Sequence, residues 1–324
     1  MSKAPRQQRQ HDALATETDH AWLIVTDLDG TLLDHFDYSH TPVDPLLARL
    51  ESAAIPVVLN SSKTLSEMLA LQSELQNQHP FICENGSAIV IPRSYFPNLP
   101  AGIAALESAD GMLILETGTP RETLLRYLEA DAVKHDAPYL AFSRASTAEI
   151  TEATGLSSEQ AELAKQRRYS EPLLWRGSEA EKSAFRQRAR EAGLATLQGG
   201  RFLHLQGPTD KGRTTEILRR CYRHAGREDI ALICAGDSEN DLDMLAVADV
   251  AVIIRAANRP APVLASTPAR RVIVSRAEGP LGWRQVIGEL VFPGCGFGEA
   301  NTDKSINNST DKRTVKRTKS GKPI

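Results

Sequence analysis

"WLIVTDLDGTLLD", residues 22–34, joins an apolar run to two aspartates, Asp27 and Asp29, that stand two positions apart and precede Gly30. A short run of Val, Ile and Leu that ends in a turn signal is typical of a buried strand. Two carboxylates at the end of such a strand repel each other and raise each other's pKa unless a cation lies between them. The stretch therefore predicts a buried strand that ends in a charged site.

Other apolar runs repeat this strand signal along the chain. The candidate strands are residues 22–26, 55–59, 81–83, 88–91, 230–234, 250–254 and 271–274. Helix starts are indicated by capping boxes at Thr64–Glu67, Ser157–Gln160 and Ser178–Glu181, in which a hydroxyl and a carboxylate or amide satisfy the first free N–H groups. Strands and helices in alternation predict an α/β fold with a parallel sheet that helices cover on both faces.

The alternation is interrupted once, and the ends of the chain differ from the middle. Residues 93–206 carry "MLILE" and "RFLHL" among polar helical patterns, which predicts a smaller α+β cap domain inserted between core segments 21–92 and 207–293. Residues 1–20 are polar, and residues 294–324 form a low-apolar tail. Such composition predicts disorder at both ends.

The composition limits the classes of protein to which the chain can belong. The chain has 324 residues, 41% hydrophobic and 24% charged, and a formal net charge of -3, values of an ordinary soluble protein. Near-neutral charge gives the body no reason to bind nucleic acid or a membrane surface. The basic tail, with seven Lys or Arg against three Asp or Glu over 299–324, is expected to be solvated, with RNA or acidic surfaces as the alternative partners.

Location follows from signals that the sequence lacks. No secretory signal opens the chain, and no apolar run approaches the roughly 20 residues that span a bilayer. The cysteines are widely spaced, without a zinc pattern, at Cys83, Cys221, Cys234 and Cys295. Reduced cysteines and the absent signals predict a cytoplasmic protein.

Polar side chains follow several of the predicted strands. Ser61, Ser62 and Lys63 follow the second strand, and Asp237 and Asp241 follow the strand "IALICAG". "GPTDKGRTTEIL" places a lysine, Lys211, at a helix start. Ligands of open parallel sheets bind beyond the carboxyl ends of the strands, so we expect these groups to meet Asp27 and Asp29 at one edge.

Such a set of groups suits phosphoryl transfer. Clustered carboxylates need a cation, and a few hard oxygen ligands open to water suit Mg²⁺. The ammonium of Lys211 and the hydroxyl of Ser61 favour an anion such as a phosphoryl group. An aspartate can then serve as nucleophile. Asp29 could protonate the leaving oxygen and later activate water.

Together these motifs resemble those of the haloacid dehalogenase superfamily. "DLDGT", a serine after the second strand, the lysine of "TDKG" and "GDSEND" stand in that family's order. The resemblance implies a Rossmann-like core and Asp27 as nucleophile with Asp29 as general acid and base. It implies Mg²⁺ held by Asp27, the backbone carbonyl of Asp29, and Asp237, with Asp241 assisting. Ser61 and Lys211 match the phosphate-binding motifs.

Further sequence stretches narrow the resemblance to one group within this superfamily. A cap between the second and third motifs is similar to that of sugar-phosphate phosphatases. "SSKT", "ICENGSAI", "QRRYSEPLLW", "GRFLHL" and "RAEGPLGW" resemble mannosyl-3-phosphoglycerate phosphatases over roughly residues 21–292. This implies a small phosphorylated sugar as substrate. A sucrose-type phosphatase or a phosphomutase on the same scaffold, and a non-catalytic protein that acts through its basic tail, are the alternatives.

Three residues of the cap are candidates for substrate contacts. Arg167, Arg168 and Glu171 lie in the "QRRYSEP" stretch. Arginine binds a carboxylate in a bidentate fork, so we expect these residues to bind the carboxylate or the sugar of a substrate. Charges on the solvent-facing side of a helix are the competing interpretation.

Overall fold

The computed structural model of the protein describes most of the chain between residues 21 and 297. The described residues are 21–108, 111–135, 138–198, 202–256, 260–264, 269 and 271–297. The segment 1–20 and the part of the tail beyond residue 297, both predicted to be disordered, lie outside the described residues.

The described residues form thirteen strands and nine α-helices. The strands are β1 (Trp22–Thr26), β2 (Val57–Asn60), β3 (Phe81–Cys83), β4 (Ala88–Ile91), β5 (Leu106–Glu107), β6 (Leu113–Glu116), β7 (Tyr139–Ala141), β8 (Ser170–Trp175), β9 (Ala195–Gln198), β10 (Leu203–Gln206), β11 (Ala231–Gly236), β12 (Val250–Arg255) and β13 (Arg271–Glu278). The helices are α1 (Asp44–Ser52), α2 (Leu65–Glu74), α3 (Arg121–His135), α4 (Thr147–Thr154), α5 (Ser158–Lys165), α6 (Glu179–Glu191), α7 (Lys211–His224), α8 (Leu242–Ala246) and α9 (Leu281–Val291).

Nine strands form one large sheet in the order β13-β12-β11-β1-β2-β3-β4-β6-β5. The strands from β13 to β3 run parallel, which confirms the predicted α/β class. The strands β4, β6 and β5 run antiparallel to their neighbours. Only residues 84–87 join β3 to β4, and so short a link allows a hairpin but not the crossover that parallel strands need.

Helices cover both faces of the parallel part of this sheet. Ile24 in β1 packs on one face with Leu46 of α1 and Trp283 of α9. Its neighbour Val25 packs on the other face with Leu218 of α7. Each fully buried side chain of this size contributes about 1.5–3 kcal/mol relative to exposure. The two hydrophobic faces thus fix β1 in the middle of the core.

A second, smaller sheet is antiparallel and has the order β7-β8-β10-β9. One side of it packs on α3 and α6 around Leu173, Phe185 and Leu205. A separate small cluster joins α4 and α5 around Ile150 and Ala161. This unit has the α+β composition predicted for the cap.

The predicted inserted segment contributes strands to both sheets. Within 93–206, β5 and β6 extend the large sheet, whereas the four-stranded sheet begins only at Tyr139. The apolar run "MLILE" therefore pairs with β4. The capping boxes predicted at Thr64, Ser157 and Ser178 are all present, because each depends only on residues three positions apart.

Two further features of the fold concern the cysteines and the lengths of the helices. All four cysteines are free thiols, and three of them are buried. None of the helices in the described ranges is both long enough and apolar enough to cross a membrane.

Candidate active site

Asp27 follows the central strand β1 and is in contact with Lys211. The Lys211 Nζ donates hydrogen bonds to Asp27 Oδ1 at 2.6 Å and to Asp241 Oδ1 at 2.7 Å. All three side chains are buried. A single ammonium therefore lies between two carboxylates that come from distant parts of the chain.

Sheet register brings these residues together. Thr26 in β1 pairs with Leu59 of β2 on one side and with Ala235 of β11 on the other. Asp27, Ser61 and Asp237 therefore leave the sheet at the same edge, as the sequence predicted. Parallel neighbouring strands end together, so groups far apart in sequence meet there.

The start of α7 fixes the position of Lys211. The side chain of Asp210 accepts the N–H of Arg213 at 2.7 Å and so caps the helix. Asn60 Nδ2 donates to the Lys211 carbonyl at 3.3 Å. Because Asn60 is the last residue of β2, the end of a core strand holds the helix turn that carries the lysine.

Asp241 holds the turn that carries Asp237. Its Oδ2 accepts the backbone N–H groups of Asp237 and Ser238, each at 3.1 Å, while its Oδ1 accepts the bond from Lys211. Both oxygens of Asp241 are thus engaged. Asp241 stands at the start of α8, and its bond from Lys211 goes beyond a helix-capping role.

Gly30 allows the loop after β1 to approach Asp237. Its φ is +86°, and a Cβ at this position would lie 2.8 Å from Asp237 Oδ2. A side chain here would meet both a strained backbone and a carboxylate. The glycine of "DLDGT" is therefore required by the close approach of two loops.

The carboxylates fit a divalent cation. Asp27, Asp237 and Asp241 each offer an oxygen within 4.8 Å of the others, and all are buried. Such oxygen donors are the ligands that Mg²⁺ prefers. The donor set therefore fits Mg²⁺, although Lys211 and two backbone N–H groups engage both oxygens of Asp241.

Burial and neighbouring charges shift the pKa values of Asp27 and Lys211. Burial and the neighbouring carboxylate of Asp241 raise the pKa of Asp27 to about 8, although Lys211 acts in the opposite direction. Burial alone would lower the pKa of Lys211, but Asp241 and Asp27 outweigh it and raise the pKa above its usual value. The lysine stays cationic, and the raised pKa of Asp27 reflects a crowding of carboxylates that a bound cation would relieve.

Asp29 has a cationic neighbour that received no role from the sequence. The Lys63 Nζ lies 2.9 Å from the carboxylate of Asp29 and 5.1 Å from the ring centroid of Tyr38. Burial would lower the pKa of Lys63, but Asp29 and Glu67 raise it. The signal was its place directly after β2, in "SSKT", where ligand-binding residues are expected.

Ser61 is buried at the end of β2, and backbone bonds hold its loop. Its N–H donates to the Ile82 carbonyl at 3.0 Å, and its own carbonyl accepts the N–H of Asn85 at 2.9 Å. The hydroxyl accepts the N–H of Lys63 at 3.2 Å. The loop is therefore anchored to β3 and to the turn that follows it.

The cap candidates differ in their surroundings. Glu171 is fully buried, where its carboxylate accepts bonds from Arg121 at 2.7 Å and from the N–H of Ser143 at 2.6 Å. Arg167 donates to the Ser62 carbonyl at 2.9 Å, next to Ser61. Arg168 is exposed. The three are therefore not gathered at one point, and Arg167 is the one that reaches the loop after β2.

Glu84 is a buried residue that the sequence did not single out. Its carboxylate accepts the N–H groups of Arg168 and Tyr169, at 2.8 and 3.1 Å, and the hydroxyl of Ser170 at 2.6 Å. It therefore ties the large sheet to β8 of the small sheet. The available signal was "ENG", because Asn and Gly tolerate the left-handed backbone that Glu84, Asn85 and Gly86 all adopt.

A cleft of about 670 Å³ opens beside this site, lined by the loop after β1, by β12, by β13 and by the start of α9. Exposed Arg255 and Arg276 line it, with Asp34 and Glu278. None of the predicted site residues lines this cleft. Charges of both signs leave it without a preference for an anion.

Known proteins share parts of this sequence and this fold. Residues 24–98 match the sequence model of the haloacid dehalogenase-like hydrolases. That segment includes Asp27, Asp29, Ser61 and Lys63 but not Lys211 or the later aspartates.

Several solved structures share the fold over most of the chain. A Thermoplasma acidophilum protein has 18% identity and a TM-score of 0.55, with 84% of this chain and 98% of that chain covered. The sucrose-phosphatase of Synechocystis, solved with sucrose and phosphate, has 13% identity, a TM-score of 0.54 and the same coverage. A Bacteroides thetaiotaomicron protein from the phosphatases of the haloalkanoate enzyme superfamily has 15% identity and a TM-score of 0.53, with 84% and 93% covered. The fold is thus a haloacid dehalogenase-like core with a smaller α+β unit.

Proposed function

We propose that the protein is a Mg²⁺-dependent phosphatase that hydrolyses a phosphoric monoester through an aspartyl-phosphate on Asp27. The observation that carries this proposal is the buried ammonium of Lys211, held 2.6 Å from Asp27 and 2.7 Å from Asp241 at the carboxyl edge of the sheet. Phosphoryl transfer requires mainly positioning and neutralisation of charge. A lysine beside the attacking carboxylate supplies both.

Asp27 acts as the nucleophile. A carboxylate oxygen of Asp27 forms a bond to phosphorus while the bond from phosphorus to the ester oxygen breaks. Lys211 lies against Asp27 and reduces the repulsion between this carboxylate and the phosphoryl oxygens. Ser61, at the same edge, donates its hydroxyl to a phosphoryl oxygen. Mg²⁺, when bound by Asp27 and Asp237, supplies further positive charge for the transferring group.

Asp29 moves the proton. Its carboxyl group gives a proton to the departing ester oxygen, and its carboxylate then takes a proton from the water that attacks the aspartyl-phosphate. The second step releases inorganic phosphate and regenerates Asp27. Lys63, 2.9 Å from Asp29, holds this carboxylate in place. More than a third of the Asp29 side chain is exposed, which lets water and substrate reach it.

Mannosyl-3-phosphoglycerate, or a close glycosyl phosphate, is the substrate that we propose. The support is the resemblance of the stretches "SSKT", "ICENGSAI" and "QRRYSEPLLW" to mannosyl-3-phosphoglycerate phosphatases. The fold is also shared with a sucrose-phosphatase solved with sucrose and phosphate. Arg167, which contacts the loop next to Ser61, is the cap residue that we propose for the substrate's carboxylate. A small phosphorylated sugar in the cytoplasm is the expected partner, without nucleic acid or membrane.

Phosphate release from a panel of substrates tests the proposal. The purified protein with Mg²⁺ should release phosphate from mannosyl-3-phosphoglycerate faster than from other sugar phosphates, and a chelator should stop the release. Asp27→Asn should abolish turnover without loss of the fold, and Arg276→Ala, in the neighbouring cleft, is the matched control with unchanged turnover. No release from any member of the panel would refute the phosphatase, and full activity of Asp27→Asn would remove its nucleophile.

Three alternatives make different predictions. A sucrose-type phosphatase would prefer sucrose phosphate, and a phosphomutase would move the phosphate to another hydroxyl without releasing it. A non-catalytic protein that acts through its basic tail would lose its activity when residues 299–324 are removed. The phosphatase should keep its turnover after that truncation, because the site lies wholly within residues 27–241.

A further inference from the structure

His204 in β10 is buried without a hydrogen-bond partner on its Nδ1 among the described residues. Its exposed fraction is 6%, and the Nδ1 is fully enclosed. A buried polar atom left without a hydrogen-bond partner destabilises the fold. Since Leu203 and Leu205 beside it are ordinary core residues, the fold keeps a polar group at a position where an apolar one would be more stable.

The strand directs His204 toward the large sheet. Leu203 and Leu205 pack with Phe185 on the side covered by α3 and α6. Side chains alternate along a strand, so His204 and Gln206 lie on the opposite side. On that side the Nδ2 of Asn85, a residue of the turn between β3 and β4, approaches Gln206 Oε1 at 3.5 Å. At Gln206 this face therefore meets the core, whereas Phe202 on the same face packs with α4 and α5.

The same contacts connect His204 to the phosphate-binding loop. The backbone N–H of Asn85 donates to the Ser61 carbonyl at 2.9 Å. Gln206 is two residues from His204, about 7 Å along the strand. Gln206 and Asn85 thus connect the strand that carries His204 to Ser61.

The protonation state of His204 determines the kind of group that it can bind. Burial and the nearby guanidinium of Arg167 lower the pKa of His204 to about 3, so the ring is neutral, with one nitrogen as donor and one as acceptor. The Oδ1 of Asn85 is also buried without a partner in the described part of the chain. A neutral imidazole beside an amide oxygen suits a hydroxyl group as ligand, because a hydroxyl donates one hydrogen bond and accepts others.

We infer that His204 is a specificity-determining residue that binds a hydroxyl group of the sugar part of the substrate, with Asn85 beside it. This inference rests on the proposed phosphatase function of the same site, whose phosphoryl end is at Asp27 and Ser61. It assigns the face of the four-stranded sheet that carries His204 to a polyhydroxylated leaving group and not to an aromatic or apolar one.

Binding measured by calorimetry in an Asp27→Asn background tests the inference without turnover. The probes are mannosyl-3-phosphoglycerate and inorganic phosphate, with Mg²⁺ present. His204→Leu should weaken binding of the glycosyl phosphate about tenfold or more, because the sugar hydroxyl loses its partner inside a closed site. Binding of inorganic phosphate, which does not reach β10, should change less than about twofold. His204→Asn, which keeps a polar group near the Nδ1 position, should recover part of the loss.

A control and a stability measurement separate binding from a structural role. His135→Leu makes the same change at an exposed position of α3 and should leave both affinities unchanged. His204→Leu should keep or raise the unfolding temperature, because it removes a buried polar group, whereas a structural histidine would lose stability on the same change. Equal weakening of both probes, unchanged glycosyl phosphate binding, or no detectable binding of that probe would each overturn the inference.

Phosphate release by the native chain is a separate readout. If the chain releases no phosphate while His204→Leu still weakens only the glycosyl phosphate, the phosphatase function fails and the sugar subsite stands. If the chain releases phosphate and the two affinities do not separate, the subsite is wrong and the phosphatase function stands.

Discussion

Replacing Asp27 with Asn removes a carboxylate that the fold keeps in an unfavourable place. Burial and Asp241 raise the pKa of Asp27 from 3.8 to about 8. A carboxylate whose pKa is higher in the folded state destabilises the fold as the pH rises from the unfolded pKa to the folded one. In the metal-free protein this group therefore costs nothing near pH 4 and costs most above pH 8.

The size of the effect follows from the pKa difference. At pH 7 the pH is about 3 units above the unfolded-state pKa of 3.8, and this difference corresponds to a loss of roughly 4 kcal/mol in the free energy of unfolding. Asn keeps a carbonyl oxygen that can accept the hydrogen bond from Lys211, but the attraction between the Asp27 charge and the buried ammonium is lost, which reduces the gain. We expect Asp27→Asn to raise the free energy of unfolding by about 2–4 kcal/mol at pH 7 while it abolishes phosphate release.

Urea unfolding with a metal chelator at pH 5 and at pH 8 measures this effect. The gain from Asp27→Asn should be larger at the higher pH, and Mg²⁺ should reduce it by stabilising the native carboxylate. Asp29→Asn is the matched control, because Asp29 is partly exposed and paired with Lys63, and it should give no such gain. A gain that is independent of pH, or a loss of stability in Asp27→Asn, would refute the reasoning.

Three further substitutions separate the roles of single groups. Lys211→Met should lower turnover on the order of 10²–10³-fold, and a loss below about tenfold in a steady-state assay would argue against a role in charge neutralisation. Lys63→Ala should lower kcat more than it raises KM, with recovery in Lys63→Arg, since the ammonium holds Asp29 and does not form part of the phosphate site; an equal change in both constants would contradict this. Gly86→Ala should lower the midpoint of thermal unfolding, because a Cβ there would lie 2.1 Å from the Asp210 carbonyl at a φ of +87°; a variant as stable as the native protein would show that the turn can move.

Much of the candidate site was predictable because its parts follow strands. The pattern of β1 predicted both the strand and the charged site after it. Lys211 does bond to Asp27 and Asp241, and carboxylate oxygens of Asp27, Asp237 and Asp241 lie within 4.8 Å of one another. In a parallel sheet the ends of neighbouring strands share one edge, so sequence position after a strand is sufficient to predict proximity. The catalytic and binding roles of these residues, and the Mg²⁺ itself, stay predictions that the proposed assays address.

The cap was less predictable. The sequence placed "MLILE" in an inserted unit, but that strand pairs with β4 in the large sheet. Short apolar strands are compatible with either sheet, and only long-range pairing decides between them. Glu171 was proposed for substrate contact together with its neighbours Arg167 and Arg168, and its contacts with Arg121 and Ser143 depend on packing that no local pattern encodes.

The sequence by itself determined the strand that ends in "DLDGT", the capped helices and the groups that follow the strands, because these depend on residues within a few positions of one another. The tertiary structure alone decided that Lys63 approaches Asp29, that Glu84 ties the core to β8, and that His204 is enclosed without a partner for its Nδ1 within the described residues. Each of these depends on where side chains from distant segments meet and on how much water remains between them. Local sequence sets neither the distance nor the dielectric environment that makes such a contact matter.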